Sequence, residues 1–405
     1  MSHQPSRRAA IVTGGALFAS AHLPRIASAA GARDPRLVVI VLRGALDGLS
    51  TVAPIGDPDY APLHGALALG AQGANAALPL DGFFALNPAM TQFHRLYRAR
   101  QALIFHAIAT NYRERSHFDG QDVLESGQSA PGHTTSGWLN RTLAALPSGA
   151  RIGPRGALGV GVTTPLILRG PAPTLGWAPP FIPSAGPDTA TRLIDLYTHR
   201  DPQLAEALRR GLETDRMAKA AAGDMGRPAD YNGVNGMRMA ARGAAQIIAA
   251  DDGPRVAALA FDGWDTHANE GGATGRLAQL LGGLDAAFGE FEQALGPKWR
   301  DAIVVAVTEF GRTARINGTT GTDHGTATVA LAAGGALAGG RVIANWPGLA
   351  AGKLYQDRDL APTTDLRAAL KGLIADHLGV TASALAASVF PDTAALAPMR
   401  GLLAA

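Results

Sequence analysis

Leu37-Val38-Val39-Ile40-Val41-Leu42-Arg43-Gly44-Ala45-Leu46-Asp47-Gly48 joins an unbroken apolar run to a turn that carries glycines and a carboxylate. Six apolar residues in a row, four of them β-branched, do not alternate with polar ones, which is how a strand reads when both of its faces are covered. The same pattern recurs at 102–109, 255–261, 303–308 and 327–332. Between and beyond these runs, helical periodicity is expected at 88–100, 117–125, 202–222, 234–250, 273–295 and 365–378. Strands alternating with helices predict a three-layer α/β/α sandwich around a mostly parallel sheet. Residues 147–188 are dense in Pro and Gly and read as a loop-rich insertion or cap within a single domain, 30–405.

Composition supports a packed chain. Of 405 residues, 47% are hydrophobic, and 50 Gly with 26 Pro stay well below the share that marks low-complexity sequences. The formal charge is only +3, and Arg7, Arg8 and Arg25 lie in a 29-residue N-terminal segment without an acid, so the remainder is neutral. No basic run follows, which excludes the electrostatic footprint of a nucleic-acid binder. The absence of cysteine removes thiol nucleophiles, thiolate ligands and disulfides.

Ser6-Arg7-Arg8 precedes the uncharged stretch 9–21, and Ala27-Ser28-Ala29 supplies an A-x-A cleavage pattern. This is the layout of a secretory leader of the twin-arginine kind over residues 1–29. It implies recognition by the twin-arginine translocase, a mature chain starting near Ala30 and a periplasmic or secreted location. The uncharged stretch is shorter than the roughly 20 apolar residues a bilayer span needs, so stable membrane insertion is not expected.

In a parallel sheet, helix N-termini and loops converge at the carboxyl ends of the strands. Asp47 follows the first run. Asn111 to Asp119, with Ser116 and His117, follows the second. Asp262-Gly263-Trp264-Asp265-Thr266-His267 follows the third. Glu309-Phe310-Gly311-Arg312 follows the fourth, and Asp323-His324 precedes the fifth. Carboxylates and imidazoles at several strand ends suit a divalent cation such as Zn, Mn, Ca or Mg. Asp47, Asp265, His267, Glu309, Asp323 and His324 are the candidate ligands, with Asp262 in reserve. Ser116 opens a helical segment and reads either as an N-cap or as a nucleophile beside free backbone N–H groups. His117 faces the site as a donor or ligand. Arg43 and Arg312 read either as oxyanion clamps or as members of structural ion pairs.

Together the stretches 41–48, 116–119, 263–267, 309–313 and 321–325 resemble the bacterial exported family numbered 1501 among domains of unknown function. That family is similar to a remote branch of the alkaline phosphatase and sulfatase superfamily. The resemblance covers nearly all of the chain after the leader, and it implies an alkaline phosphatase-like fold with a metal-assisted hydrolysis site. It would make Asp47 the first metal ligand, Ser116 the nucleophile, Asp265 and His267 the mid-chain ligands and His324 the late histidine. Where the superfamily ends a strand with Thr-x-Asp-His, this chain has Thr308-Glu309-Phe310-Gly311, so Glu309 and Asp323 would have to replace the missing pair. Two functions are expected from this: an exported metal-dependent hydrolase of phosphate or sulfate esters, acting on a small molecule or glycan with Ser116 and Arg312 in catalysis, or a non-catalytic exported binding protein on the same fold.

Overall fold

The computed structural model describes residues 33–147, 156–161, 163–179, 187–222 and 230–404. The expected leader, 1–29, lies outside them. The main sheet is built from β1 (Arg36–Leu42), β2 (Ala102–Ala109), β3 (Ala157–Val160), β4 (Thr174–Trp177), β5 (Val256–Phe261), β6 (Ala302–Thr308), β7 (Thr328–Ala333), β8 (Arg341–Ile343) and β9 (Thr364–Asp365). The helices used below are α1 (Gly48–Thr51), α2 (Tyr60–His64), α3 (Thr91–Arg98), α4 (His117–Ser126), α5 (Trp138–Ala144), α6 (Pro187–Arg200), α7 (Pro202–Ala222), α8 (Val234–Ala249), α9 (Arg276–Leu295) and α10 (Leu366–Leu378).

The strand order is β8-β2-β7-β6-β1-β5-β3-β4, with β9 also pairing β2. β1 sits at the centre, parallel to β5 and β6, with Leu37 opposite both Val256 and Ile303. All seven residues of β1 are buried, and their alternation divides the interior. Val38, Ile40 and Leu42 join a core shared with Phe93 of α3, Ile247 of α8 and Phe288 of α9. Leu37, Val39 and Val41 join a second core with Leu124 of α4, Trp138 of α5 and Leu370 of α10. A strand that feeds two cores has helices on both faces, which gives the α/β/α layering. Burial of the six apolar side chains from Leu37 to Leu42 contributes on the order of 10 kcal/mol, before conformational entropy is set against it.

β7 alone runs antiparallel, to both β2 and β6, with Leu331 opposite Ala306 and Ile104. Its N-terminal end therefore lies beside the carboxyl end of β6, and the connection from Glu309 to Ala327 returns to the edge from which it left. That reversal brings Asp323 and His324 to the same side of the sheet as the residues following β1, β2, β5 and β6.

The segment expected to be a loop-rich insertion or cap, 147–188, contributes β3 and β4 to the sheet, β3 pairing in parallel with β5. Each is four residues long and contains a glycine, too short to register as an apolar run. Among the described residues, no helix is long and apolar enough to cross a membrane.

Candidate metal centre

His117 is the first residue of α4, so its ring is placed by the chain leaving β2. Asp265 and His267 sit on the loop after β5, and His324 on the return loop before β7, where an isolated bridge joins it to Arg312. The loops are pressed together by glycine. Gly44 has φ +120° and passes so close to the β5 loop that a Cβ would lie 2.4 Å from the Asp265 nitrogen.

The Nε2 atoms of three histidines face one another: His117 and His324 at 2.9 Å, His267 and His324 at 3.0 Å. The Asp265 carboxylate lies among them, its Oδ1 3.1 Å from His267 Nε2 and 3.3 Å from His324 Nε2, its Oδ2 3.4 Å from His117 Nε2. The opposite nitrogen of each ring meets an atom that only accepts. His117 Nδ1 donates to Glu309 Oε1 at 2.8 Å, His267 Nδ1 to Asp323 Oδ1 at 3.1 Å, and His324 Nδ1 to the Arg115 carbonyl at 2.9 Å. These partners assign the proton of each neutral ring to Nδ1 and leave three Nε2 lone pairs and a carboxylate pointing inward. A cation satisfies that arrangement, and a ring nitrogen tied to a carboxylate or carbonyl is the usual support of a metal-bound histidine. Among the described residues, His117, Asp265 and His324 form the group whose ligand atoms all lie within 4.8 Å of one another.

The supports are themselves fixed. Glu309 is completely buried and accepts from Gly44 N at 2.9 Å, Thr308 Oγ1 at 2.8 Å and Gln121 Nε2 at 3.2 Å as well as from His117. Burial alone would raise its pKa, but the His117 ring, backbone N–H groups and the Thr308 hydroxyl hold it below the ordinary glutamate value. Asp265 is likewise pushed up by burial and brought below its usual range by the hydrogen bond and charge of Arg312. The Glu309 hydrogen bond raises the His117 pKa, whereas burial and the neighbouring His117 charge lower that of His324. Arg115 carries a positive φ of 59°; this strained conformation accompanies the presentation of its carbonyl to His324, and its guanidinium is anchored on Asp359 at 2.8 Å.

The candidate residues fall into three groups. Asp265, His267 and His324 converge with His117. Glu309 and Asp323, expected as direct ligands, each face a histidine Nδ1 on the side away from the Nε2 cluster. Asp47 is elsewhere: its Oδ1 caps α1 through Leu49 N at 2.9 Å and Ser50 N at 3.2 Å, and its Oδ2 faces His64 Nε2 at 3.3 Å. Both members of that pair are buried, and the expected metal ligand Asp47 is instead the cap and counter-ion of His64. Of the two readings open for Arg312, its contacts are those of the structural ion pair. Its side chain is wholly buried, with Nη1 on Asp265 Oδ1 at 2.6 Å, Nε on Thr322 Oγ1 at 3.0 Å and Nη2 on the Thr322 carbonyl; it positions Asp265. Arg43 pairs with Glu125 at 2.6 Å, and Trp264 is buried beneath the loop.

Ser116 occupies the N-cap position of α4 but makes no capping hydrogen bond with its side chain. Its backbone N–H donates to the Tyr112 hydroxyl at 3.3 Å. The signal for His117 was its place at a helix start directly after a strand end, shared with Ser116. The role of the Arg115 carbonyl had no sequence signal, because a backbone acceptor is independent of side-chain identity. His267 is nearly half exposed, which opens the cluster to solvent on that side.

A family model described as "Protein of unknown function (DUF1501)" matches residues 34–389. No curated protein matches the sequence. Solved structures with similarity include a mutant TAB5 alkaline phosphatase with Mg bound, at 12% identity and TM-score 0.37, covering 75% of this chain and 92% of that one. A PsFucS1 sulfatase from Pseudoalteromonas sp. aligns at 13% identity and TM-score 0.35, covering 84% and 68%. The phosphonate monoester hydrolase of Agrobacterium radiobacter aligns at 10% identity and TM-score 0.36, covering 85% and 74%.

Proposed function

We propose that this chain, which belongs to the DUF1501 family, is a metal-dependent hydrolase of phosphate or sulfate esters in which His117, Asp265, His267 and His324 hold a divalent cation and Ser116 is the nucleophile. The observation that carries the reading is the convergence of three Nε2 atoms on one carboxylate, with every opposite ring nitrogen held by an acceptor. Three imidazoles and a carboxylate suit Zn, and Mn next; Ca and Mg take oxygen donors, and the nitrogen-rich set does not favour them.

When bound, the cation supplies Lewis acidity, polarising an ester oxygen and lowering the pKa of a hydroxyl brought to it. The chain's own residues do the rest. Glu309, Asp323 and the Arg115 carbonyl keep the Nδ1 protons in place and so keep the three Nε2 atoms basic. Arg312 fixes Asp265 and keeps it ionised. The first turn of α4 presents backbone N–H groups that favour the anionic part of an ester, with the Ser116 hydroxyl beside them and free of capping duty. In hydrolysis the serine oxygen forms a bond to phosphorus or sulfur as the ester oxygen departs with a proton, and water then releases the serine.

The test is turnover of aryl phosphates and aryl sulfates by the zinc-loaded and manganese-loaded protein. Ser116→Ala is expected to abolish turnover, by about a thousandfold or more, while the metal stays bound; a Ser116→Ala protein that remains active removes the nucleophile. The reaction is placed outside the cytoplasm on the strength of Ser6-Arg7-Arg8 and Ala27-Ser28-Ala29. Sequencing the N-terminus of the mature protein from an exporting cell is expected to begin near Ala30, and an intact Met1 in the exported fraction would overturn the leader.

A further inference from the structure

At the start of the loop that carries Asp265, a groove of about 600 Å³ opens beside the carboxyl end of β5. Gly263 lies on its wall, and two residues of backbone span at most about 7 Å, which bounds the distance from that wall to the backbone of Asp265. Its polar lining comes from Asp230, Asn232, Asp262, Arg276 and Gln279. Val234, one of the few large apolar side chains that are exposed among the described residues, and Leu280 add an apolar surface.

The lining is fixed rather than floppy. Asp262 N donates to Asn232 Oδ1 at 2.8 Å, Asn232 N to Asp230 Oδ1 at 2.9 Å, and Arg276 Nη2 to the Gly263 carbonyl at 3.2 Å. Two carboxylates against one guanidinium leave the groove negative, so it repels phosphate or sulfate and cannot be where the ester anion sits. Carboxylates that accept, amides that accept and donate, and a guanidinium that donates instead match hydroxyl groups, which do both. An apolar patch among them matches the C–H face of a ring.

We infer that this groove binds a neutral polyhydroxylated ring, a sugar, as the body of an ester whose anionic group reaches the histidine cluster. The inference rests on the ester-hydrolase reading for the second half of that statement, and on the groove alone for the first.

The test is calorimetric titration of the full zinc-loaded chain with cellobiose, lactose and maltose, repeated in the presence of inorganic sulfate. At least one disaccharide is expected to bind, with sulfate leaving its affinity unchanged. Asp230→Ala and Gln279→Ala, both exposed positions in the groove wall, are expected to weaken it about tenfold each without altering metal content. If none of the three sugars binds, or if the variants bind as the parent does, the inference is overturned. Sugar binding by a chain that turns over no ester would leave the groove standing and remove the hydrolase, whereas ester turnover without sugar binding would do the reverse.

Discussion

Glu270 shows how tightly charge is managed behind the site. It is buried, accepts from Thr322 Oγ1 at 2.6 Å, and is pushed up to about 9 by burial and by the negative charge of Asp47. Asp47 goes the other way: burial opposes its charge, but His64 and Ser50 hold it at about 2. The folded protein therefore keeps the Glu270 proton between about pH 4.5 and pH 9, while the unfolded chain has released it. More protons on the folded side mean that stability falls as pH rises through this window. Glu270→Gln cannot lose a proton and keeps an oxygen for Thr322, so urea unfolding is expected to show a flatter pH profile than the parent. The difference should be near zero at pH 4 and grow to a few kcal/mol by pH 8, at about 1.4 kcal/mol per pH unit as a ceiling. Parallel profiles for the two proteins would contradict the buried, proton-holding carboxyl. At this scale the sequence was only partly legible. Asp265, His267 and His324 carried a signal of type and position, but that Glu309 and Asp323 meet the Nδ1 side of the rings required knowing which end of each imidazole faces which neighbour. Asp47 misled because a carboxylate one residue before a helix serves as a cap as readily as a ligand.

Strands and loops explain why these residues meet. The five long strands were legible because a strand buried on both faces is apolar throughout, and 37–42, 102–109, 255–261, 303–308 and 327–332 all fall on observed strands with ends displaced by one residue at most. β3 and β4 were not legible, since four residues carry too little pattern and glycine dilutes it. The antiparallel sense of β7 was hidden too, because apolarity does not encode direction. Between strands, Gly44 holds the β1 loop against the β5 loop at a φ that side chains rarely adopt. Gly44→Ala adds both strain and a clash with the Asp265 backbone. It is expected to lower stability by about 1–3 kcal/mol and to weaken metal binding together with it, read by thermal unfolding and by zinc titration. A Gly44→Ala protein with unchanged zinc affinity would show that the β1 loop does not set the position of Asp265.

Across the whole molecule, two cores hold a sheet rigid enough for one edge to carry a site assembled from residues more than 200 positions apart in sequence, such as His117 and His324. A cation that binds this assembled edge and not the unfolded chain stabilises the fold in proportion to its concentration over its Kd. The most direct test is therefore elemental analysis of the protein purified without chelator, beside His117→Ala and Ser116→Ala. About one zinc or manganese per chain is predicted for the parent and for Ser116→Ala, with most of it lost from His117→Ala. A parent that takes up no metal on reconstitution, or a His117→Ala protein that keeps its full complement, would contradict the three-histidine centre on which the account stands.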